Sequence, residues 1–139
     1  MEVRVFKKLP EEAKKIRTDV FVKEQGFQNE FDEKDSTAIH IVVFDLSNPV
    51  ATCRIYHSEE RHCYVIGRIA VLKEYRGRNV GRELINAAEK EIQNKGGDRA
   101  ELFAQIRAAA FYEKNGYFAL GDSYADEGCP HVWMRKGLK

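Results

Sequence analysis

Between residues 38 and 95 the apolar pattern changes its period once, and that change narrows the folds open to this chain. Ala38 to Phe44, Val50 to Tyr56 and Tyr64 to Leu72 are rich in β-branched and aromatic residues. Short polar stretches at 45–49 and 57–62 separate them, so the segment predicts three consecutive antiparallel strands. From Asn79 to about Lys95 the repeat becomes helical. Val80, Leu84, Ala88 and Ile92 recur every fourth residue with Ile85 beside them, and Gly96-Gly97 ends the run.

The flanks extend the same alternation. Residues 2–7 alternate Val3 and Val5 with Arg4, which predicts a first strand. Pro10-Glu11-Glu12 opens a helix, with proline in the first turn and acids near the positive end of the dipole. Ala13, Ile16, Val20 and Phe21 carry this helix to about Gln25, where Gly26 can stop it. Residues 27–36 contain Glu30, Asp32, Glu33 and Asp35 and read as a solvated loop. After the central helix come a short strand (100–104), a short helix (107–115) and two strands (117–120 and 131–138) joined by a polar loop. A meander followed by strand, helix, strand, helix and strand predicts an α/β domain with a mixed sheet. At 139 residues the chain is expected to form one domain, residues 1–139.

Composition excludes several classes. A net charge of +1 lacks the basic surplus of a protein that grips nucleic acid by counterion release. No apolar run approaches the ~20 residues needed to span a bilayer. The opening residues Met1 to Phe6 are mixed and charged, so no secretory signal is expected and a cytoplasmic location follows. Cys53, Cys63 and Cys129 are then expected as reduced thiols. His40, His57, His62 and His131 form no ligand motif, and no metal is expected.

The residues that carry chemistry lie where the period changes. The strand end Ile69-Ala70-Val71-Leu72 leads through Tyr75-Arg76-Gly77-Arg78-Asn79 into Val80-Gly81-Arg82. A helix N-terminus presents unpaired N–H groups and a positive dipole end. Gly77 and Gly81 let the backbone approach a ligand, and Arg76, Arg78 and Arg82 add charge. The combination is an anion site suited to a pyrophosphate. Its spacing is neither GxxxxGK[ST] nor GxGxxG, which disfavours a nucleotide P-loop and a dinucleotide fold.

This segment resembles the acetyl-CoA-binding motif R/Q-x-x-G-x-G/A of the GCN5-related N-acetyltransferase (GNAT) superfamily. Arg76 stands first, Asn79 where glycine is usual, and Gly81 last. Asn is among the residues that best tolerate positive φ, so the loop can survive the departure. Ala108 to Tyr117 resembles the family's later A-x-x-F-Y-x-x-x-G-F/Y motif, in the family's order and spacing. Val20 to Gly26, the acidic segment 30–35 followed by His40, Ile66 to Val71, and 127–134 are similar to the small ElaA-like branch. In that branch an aliphatic residue usually stands where this chain has Cys129.

The resemblance implies a GNAT-like domain: a mixed, mostly antiparallel sheet of about six or seven strands flanked by about four helices. It implies an N-acetyltransferase that uses acetyl-CoA as cosubstrate, without a metal, and passes the acetyl group directly to a small-molecule or peptide amine. Backbone at Ile69, Ala70 and Val71 would meet the pantetheine arm and thioester. Arg76, Gly77, Arg78, Asn79, Val80, Gly81 and Arg82 would hold the pyrophosphate, and Tyr112 would protonate the leaving thiolate. Arg68, a charge inside an apolar strand, needs a partner or a cleft and is read with His131 as lining the acceptor side. Candidates for the base are Glu24, Glu30, His40, Glu127 and His131. The acceptor pocket is expected between residues 24–36 and 121–131. A homodimer is among the states implied, with the strand around Trp133 as the pairing edge. Two other readings remain: an acetyl-CoA-binding regulatory module without turnover, and an RNA-binding module using Lys73, Arg76, Arg78 and Arg82. A Cys129–His131 nucleophile is also open, against the commoner outcome of a free thiol.

Overall fold

A computed structural model describes residues 1–28, 30–126 and 128–138. Seven strands form one sheet in the order β1-β2-β3-β4-β5-β7-β6. They are β1 (Glu2–Phe6), β2 (Ile39–Asp45), β3 (Asn48–Ser58), β4 (Cys63–Val71), β5 (Arg99–Gln105), β6 (Phe118–Asp126) and β7 (Cys129–Gly137). Every neighbouring pair is antiparallel except β4 and β5. Among the described residues three α-helices flank the sheet: α1 (Glu11–Arg17), α2 (Val80–Asn94) and α3 (Ala109–Lys114). The expected mixed, mostly antiparallel sheet with flanking helices is present.

Alternation along the strands divides the core in two. On one face Ile41, Val43, Ile55, Ile66, Leu102 and Met134 pack against Val80, Leu84, Ile85, Ala88 and Ile92 of α2. On the other face Val42, Phe44 and Ala70 pack against Ala13, Ile16, Val20 and Phe21. The first helix changes register after Arg17 and continues as a wider π-helical segment, Thr18–Glu24, before Gln25 and Gly26 (φ +78°) end it.

Three sequence expectations fail, each for a tertiary reason. The acidic segment 27–36 is a solvated loop only in part: Phe31, Glu33 and Lys34 are exposed, but Glu30 and Asp35 are buried. The Arg17 guanidinium lies inside the fold and donates to Glu30 Oε2 (2.7 Å) and to both Asp35 oxygens (2.7 and 3.1 Å). Arg54 on β3 donates to Asp32 (2.6 and 3.1 Å) and Asp35 (3.0 Å). The polar stretch 121–130 is no loop among its described residues; β6 and β7 continue through it as a paired hairpin, with a register shift between Leu120 and Tyr124. Finally, β7 is paired on both sides, with β5 and β6, so it offers no free edge to a second copy.

Burial alone would push the Asp35 carboxyl up. Hydrogen bonds from Arg17 and the charges of Arg17 and Arg54 override it and hold the group at about 2. A carboxyl depressed in the folded state contributes stability above its unfolded pKa and loses it as pH falls through the folded value. Between about pH 4 and pH 2 the protein should therefore lose about 2 kcal/mol from this group. Urea unfolding at stepped pH should show that loss in the wild type. Asp35→Asn should be less stable at neutral pH and lack this part of the acid response.

Candidate active site

The parallel pair that breaks the antiparallel pattern also opens the sheet. β4 and β5 are in register only at Tyr64↔Ala100 and Val65↔Glu101. β4 then runs on to Val71 and β5 to Gln105 without pairing to each other. Each is held on its outer side, β4 by β3 and β5 by β7. The facing edge of Ile66–Val71 is thus a row of main-chain groups with no sheet partner, available to a ligand that fits between the strands.

A bulge starts the divergence. Opposite the single residue Cys53, β4 places two, Arg68 and Ile69. Arg68 carries φ +49°, a left-handed conformation unusual for a side chain of its size. Its guanidinium is held by the Glu30 carbonyl (Nε···O 2.9 Å), Glu30 Oε1 (3.3 Å) and Asp32 (3.4 Å). The sequence left Arg68 an anionic ligand or a nearby acid; the fold supplies the acid. Burial raises the Glu30 pKa, outweighing the hydrogen bond from Arg17 and the charge of Arg68. Of the other expected β4 contacts, Ile69 and Val71 pack toward α2, whereas the Ala70 side chain faces α1.

Past Val71 the chain makes a short 3-10 turn, Lys73–Tyr75, and enters α2. Asn79, the residue before α2, has φ 64° and ψ 11°, the left-handed conformation that the motif's glycine would adopt freely. No side chain caps α2, and the Asn79 carbonyl accepts from Glu83 N–H, leaving the N–H groups of 80–82 without helical partners. Arg78 and Arg82 are exposed at this end, with Arg78 over the Tyr75 ring (5.1 Å). Gly77 has φ +79° and open space around it.

Two members of the expected motif have other roles. Arg76 is engaged: its guanidinium meets Glu24 in a bidentate pair (2.7 and 2.8 Å) and its Nε donates to the Val71 carbonyl (3.0 Å). It ties the turn to the end of the π-helical segment. Gly81 is required by packing, since a Cβ there would stand 3.0 Å from the Phe111 ring.

Tyr112 on α3 is buried, edge-on to Phe111 and Tyr117. Its hydroxyl has no hydrogen-bond partner among the described residues. Burial, helped by the nearby Cys53 thiol, pushes its pKa up. His131 is buried on the opposite face of β7. Its Nδ1 lies 2.8 Å from the Cys129 carbonyl, so Nδ1–H donates there and Nε2 is the ring nitrogen left for another partner. The ring contacts the backbone of Cys129, not its thiol, and Cys129 is free. Among the other base candidates, Glu24 is paired with Arg76, and His40 is buried with Nε2 3.0 Å from the Asp35 carbonyl. Glu127 lies outside the described residues. Among the described residues no group of three or more His, Cys, Asp or Glu side chains is placed to hold a metal ion. No described helix is long and apolar enough to cross a membrane.

The Arg17–Glu30–Asp35–Arg54 network was missed because charge along the chain resembles charge on a surface. The available signal was Arg17 itself, next to the buried position Ile16 on a short amphipathic helix.

Comparison with known proteins agrees with this architecture. A family model for the acetyltransferase (GNAT) domain matches residues 7–138. The uncharacterized N-acetyltransferase YjcF of Bacillus subtilis (strain 168) is 37% identical over 124 residues, 87% of this chain and 87% of that protein. Protein ElaA of Escherichia coli (strain K12) is 30% identical over 126 residues, covering 87% of this chain and 82% of ElaA. The crystal structure of Escherichia coli ElaA superposes with a TM-score of 0.87, spanning 97% and 98% of the two chains. A structure from Lactobacillus plantarum, assigned as an N-acetyltransferase, superposes with a TM-score of 0.88 over all of both chains at 31% identity.

The left-handed conformation at Asn79 gives a direct test. Asn79→Gly should retain the fold and the turn. Asn79→Val should lose about 1–2 kcal/mol of stability, because a β-branched side chain is strained at this φ. Thermal melts of the two variants, each followed by calorimetric titration with acetyl-CoA, measure both effects.

Proposed function

The chain belongs to the acetyltransferase (GNAT) family, and on that premise we propose that it moves an acetyl group from acetyl-CoA to a primary amine by direct transfer in a ternary complex. The observation that carries the reading is the unpaired edge of β4 beyond Val65, leading straight into the uncapped start of α2. A thioester arm needs an extended main chain to lie along, and a pyrophosphate needs N–H groups and positive charge at its end. Both are present, in that order. Residues 1–139 act in this reading as one N-acetyltransferase domain in the cytoplasm.

Acetyl-CoA supplies an activated acyl group on a thiol leaving group. The N–H groups of 80–82, with Arg78 and Arg82, hold its pyrophosphate. Main-chain groups at Ile69, Ala70 and Val71 orient the arm and polarise the carbonyl. The amine loses its proton to a base, its nitrogen bonds to the acetyl carbon, and the carbon–sulfur bond breaks. His131 suits the base, because its Nδ1–H is committed to the Cys129 carbonyl and its Nε2 is left to accept. Tyr112 donates to the departing sulfur; burial keeps its O–H protonated through neutral pH. Arg68, braced by Glu30 and Asp32, walls the acceptor side.

Calorimetry with acetyl-CoA and an amine screen read by thiol release test the assignment. Arg82→Glu should weaken acetyl-CoA binding at least tenfold, since it reverses charge at the mouth of the helix. Tyr112→Phe should keep that binding and lower kcat by about 10²-fold, the lower range for a lost general acid. Its melting temperature should barely move, because no hydrogen bond to a described residue is lost. Binding with no release of CoA by any amine would leave a non-catalytic acetyl-CoA-binding module. No binding by the folded wild type would refute the assignment.

A further inference from the structure

The α1 face of the sheet is only half covered. The apolar cluster beneath α1 takes in residues of β2 and β4 and none of β5, β6 or β7. On the other half the register places side chains in rows that share a face. Gln105, His131 and Tyr124 form one row, and Phe103, Trp133 and Leu120 the next. Phe103 is the hub. Its ring stacks on His131 (centroids 4.8 Å, 22°) and lies 5.0 Å from Trp133 and 6.5 Å from Tyr124. Tyr124 is 58% exposed, so the aromatic surface opens to solvent. Phe103 and Trp133 are half-buried, and no described helix packs over them; a partly open aromatic cluster on a sheet face marks a binding surface.

The location relates this surface to the transfer site. Phe103 and Gln105 lie on β5 beyond Glu101, where pairing with β4 has ended. A group resting on Phe103 is therefore beside the open strand edge, next to His131. The Arg61 guanidinium sits over Trp133 (3.8 Å) and closes the far end.

The polar groups around the surface narrow its occupant. Gln105 is used at both ends of its amide, donating to Gln25 (2.9 Å) and accepting from Arg107 (2.8 Å). Glu101 is fully buried and held by Arg61 (2.6 Å) and Arg135 (2.6 Å). Glu30 and Asp32 are held by Arg17, Arg54 and Arg68. A sugar needs unspent donors and acceptors for its hydroxyls, and a polyamine needs several unspent carboxylates, whereas the exposed Asp126, one row beyond Tyr124 on this face, offers a single carboxylate at the rim. This surface offers π-faces to a flat apolar ring, which gains stacking as well as area burial.

We propose that Phe103, Tyr124 and His131 form the acceptor shelf, with Trp133 as its end wall, and that the shelf selects a primary amine carried on an aromatic ring. The inference rests on the transferase reading, since the ring lies on the shelf and the amine points into the gap between β4 and β5.

The test compares phenethylamine, n-butylamine and glucosamine as acceptors by thiol release. Trp133, the one tryptophan in the chain, reports in parallel: its emission is followed as each amine is added with CoA bound. Phenethylamine should exceed n-butylamine in kcat/KM by about tenfold, in line with a stacked ring, and should shift the emission. Phe103→Leu should bring the ratio toward one. Tyr124→Ala, an exposed change that leaves the fold intact, should lower it too, with acetyl-CoA affinity unchanged in both variants. Equal rates, a preference for glucosamine, or a preference that survives both substitutions would overturn the shelf while leaving the transferase reading in place. So would a wild-type dimer that Tyr124→Ala dissociates, because the rings would then be covered by a second copy. If acetyl-CoA binds but no amine releases CoA, the transferase reading is the one that fails. An emission shift confined to phenethylamine then still supports the shelf, and an unchanged emission overturns it.

Discussion

Two residue pairs hold β4 to β5, and the geometry of the site depends on their being only two. Full pairing would satisfy the main chain of both strands and leave nothing for a ligand to bond. An earlier separation would divide the sheet and the core beneath it. Pairing at Tyr64 and Val65 keeps Leu102, Ala104 and Ile66 in the core under α2, while the edge beyond stays open. An extended ligand arm can complete that edge as a strand would, so binding and chemistry draw on the same unpaired groups.

Holding the strands apart takes support from outside the sheet. The bulge at Arg68 and Ile69 turns β4 away, at the cost of a left-handed conformation for an arginine. That strain persists because the side chain is tied to Glu30 and Asp32, which are tied in turn to Arg17 and Arg54. Three cations and three carboxylates, largely out of water, form a compensated set. Such a set adds little net stability against apolar packing, but breaking one member exposes the rest to an uncompensated charge. The network therefore acts chiefly to specify geometry, joining the first helix, the segment after it and the bulged strand.

A second tie crosses the open ends of the strands. Glu24 holds Arg76 beyond β4, and its neighbour Gln25 holds Gln105 at the end of β5. The end of the π-helical segment thus touches both sides of the gap. Behind it, on the half of the sheet that α1 does not reach, lie the aromatic rows of β5, β7 and β6. The start of α2, the strand gap and the aromatic face follow one another along the same opening, the order in which the proposed reaction needs a pyrophosphate, a thioester and an acceptor ring.

Much of this was legible before any fold was known, and the division follows from the range of the forces. Strand and helix periods, the glycine stops and the strand–turn–helix cradle depend on neighbours within a few residues. Residues 38–95 carried them openly, and Asn79 announced its left-handed conformation by being asparagine. The sequence by itself thus determined the order of elements, the strand–turn–helix segment with its left-handed Asn79 and the resemblance to acetyltransferases. Tertiary structure alone decided that Glu30 and Asp35 lie inside, that β6 and β7 extend as a hairpin, that Arg76 pairs with Glu24, and that Phe103 meets His131. Those depend on pairings across tens of residues. A charged run or an isolated aromatic has the same local pattern whether it faces water or a partner, and only closure of the sheet brings the partner to it.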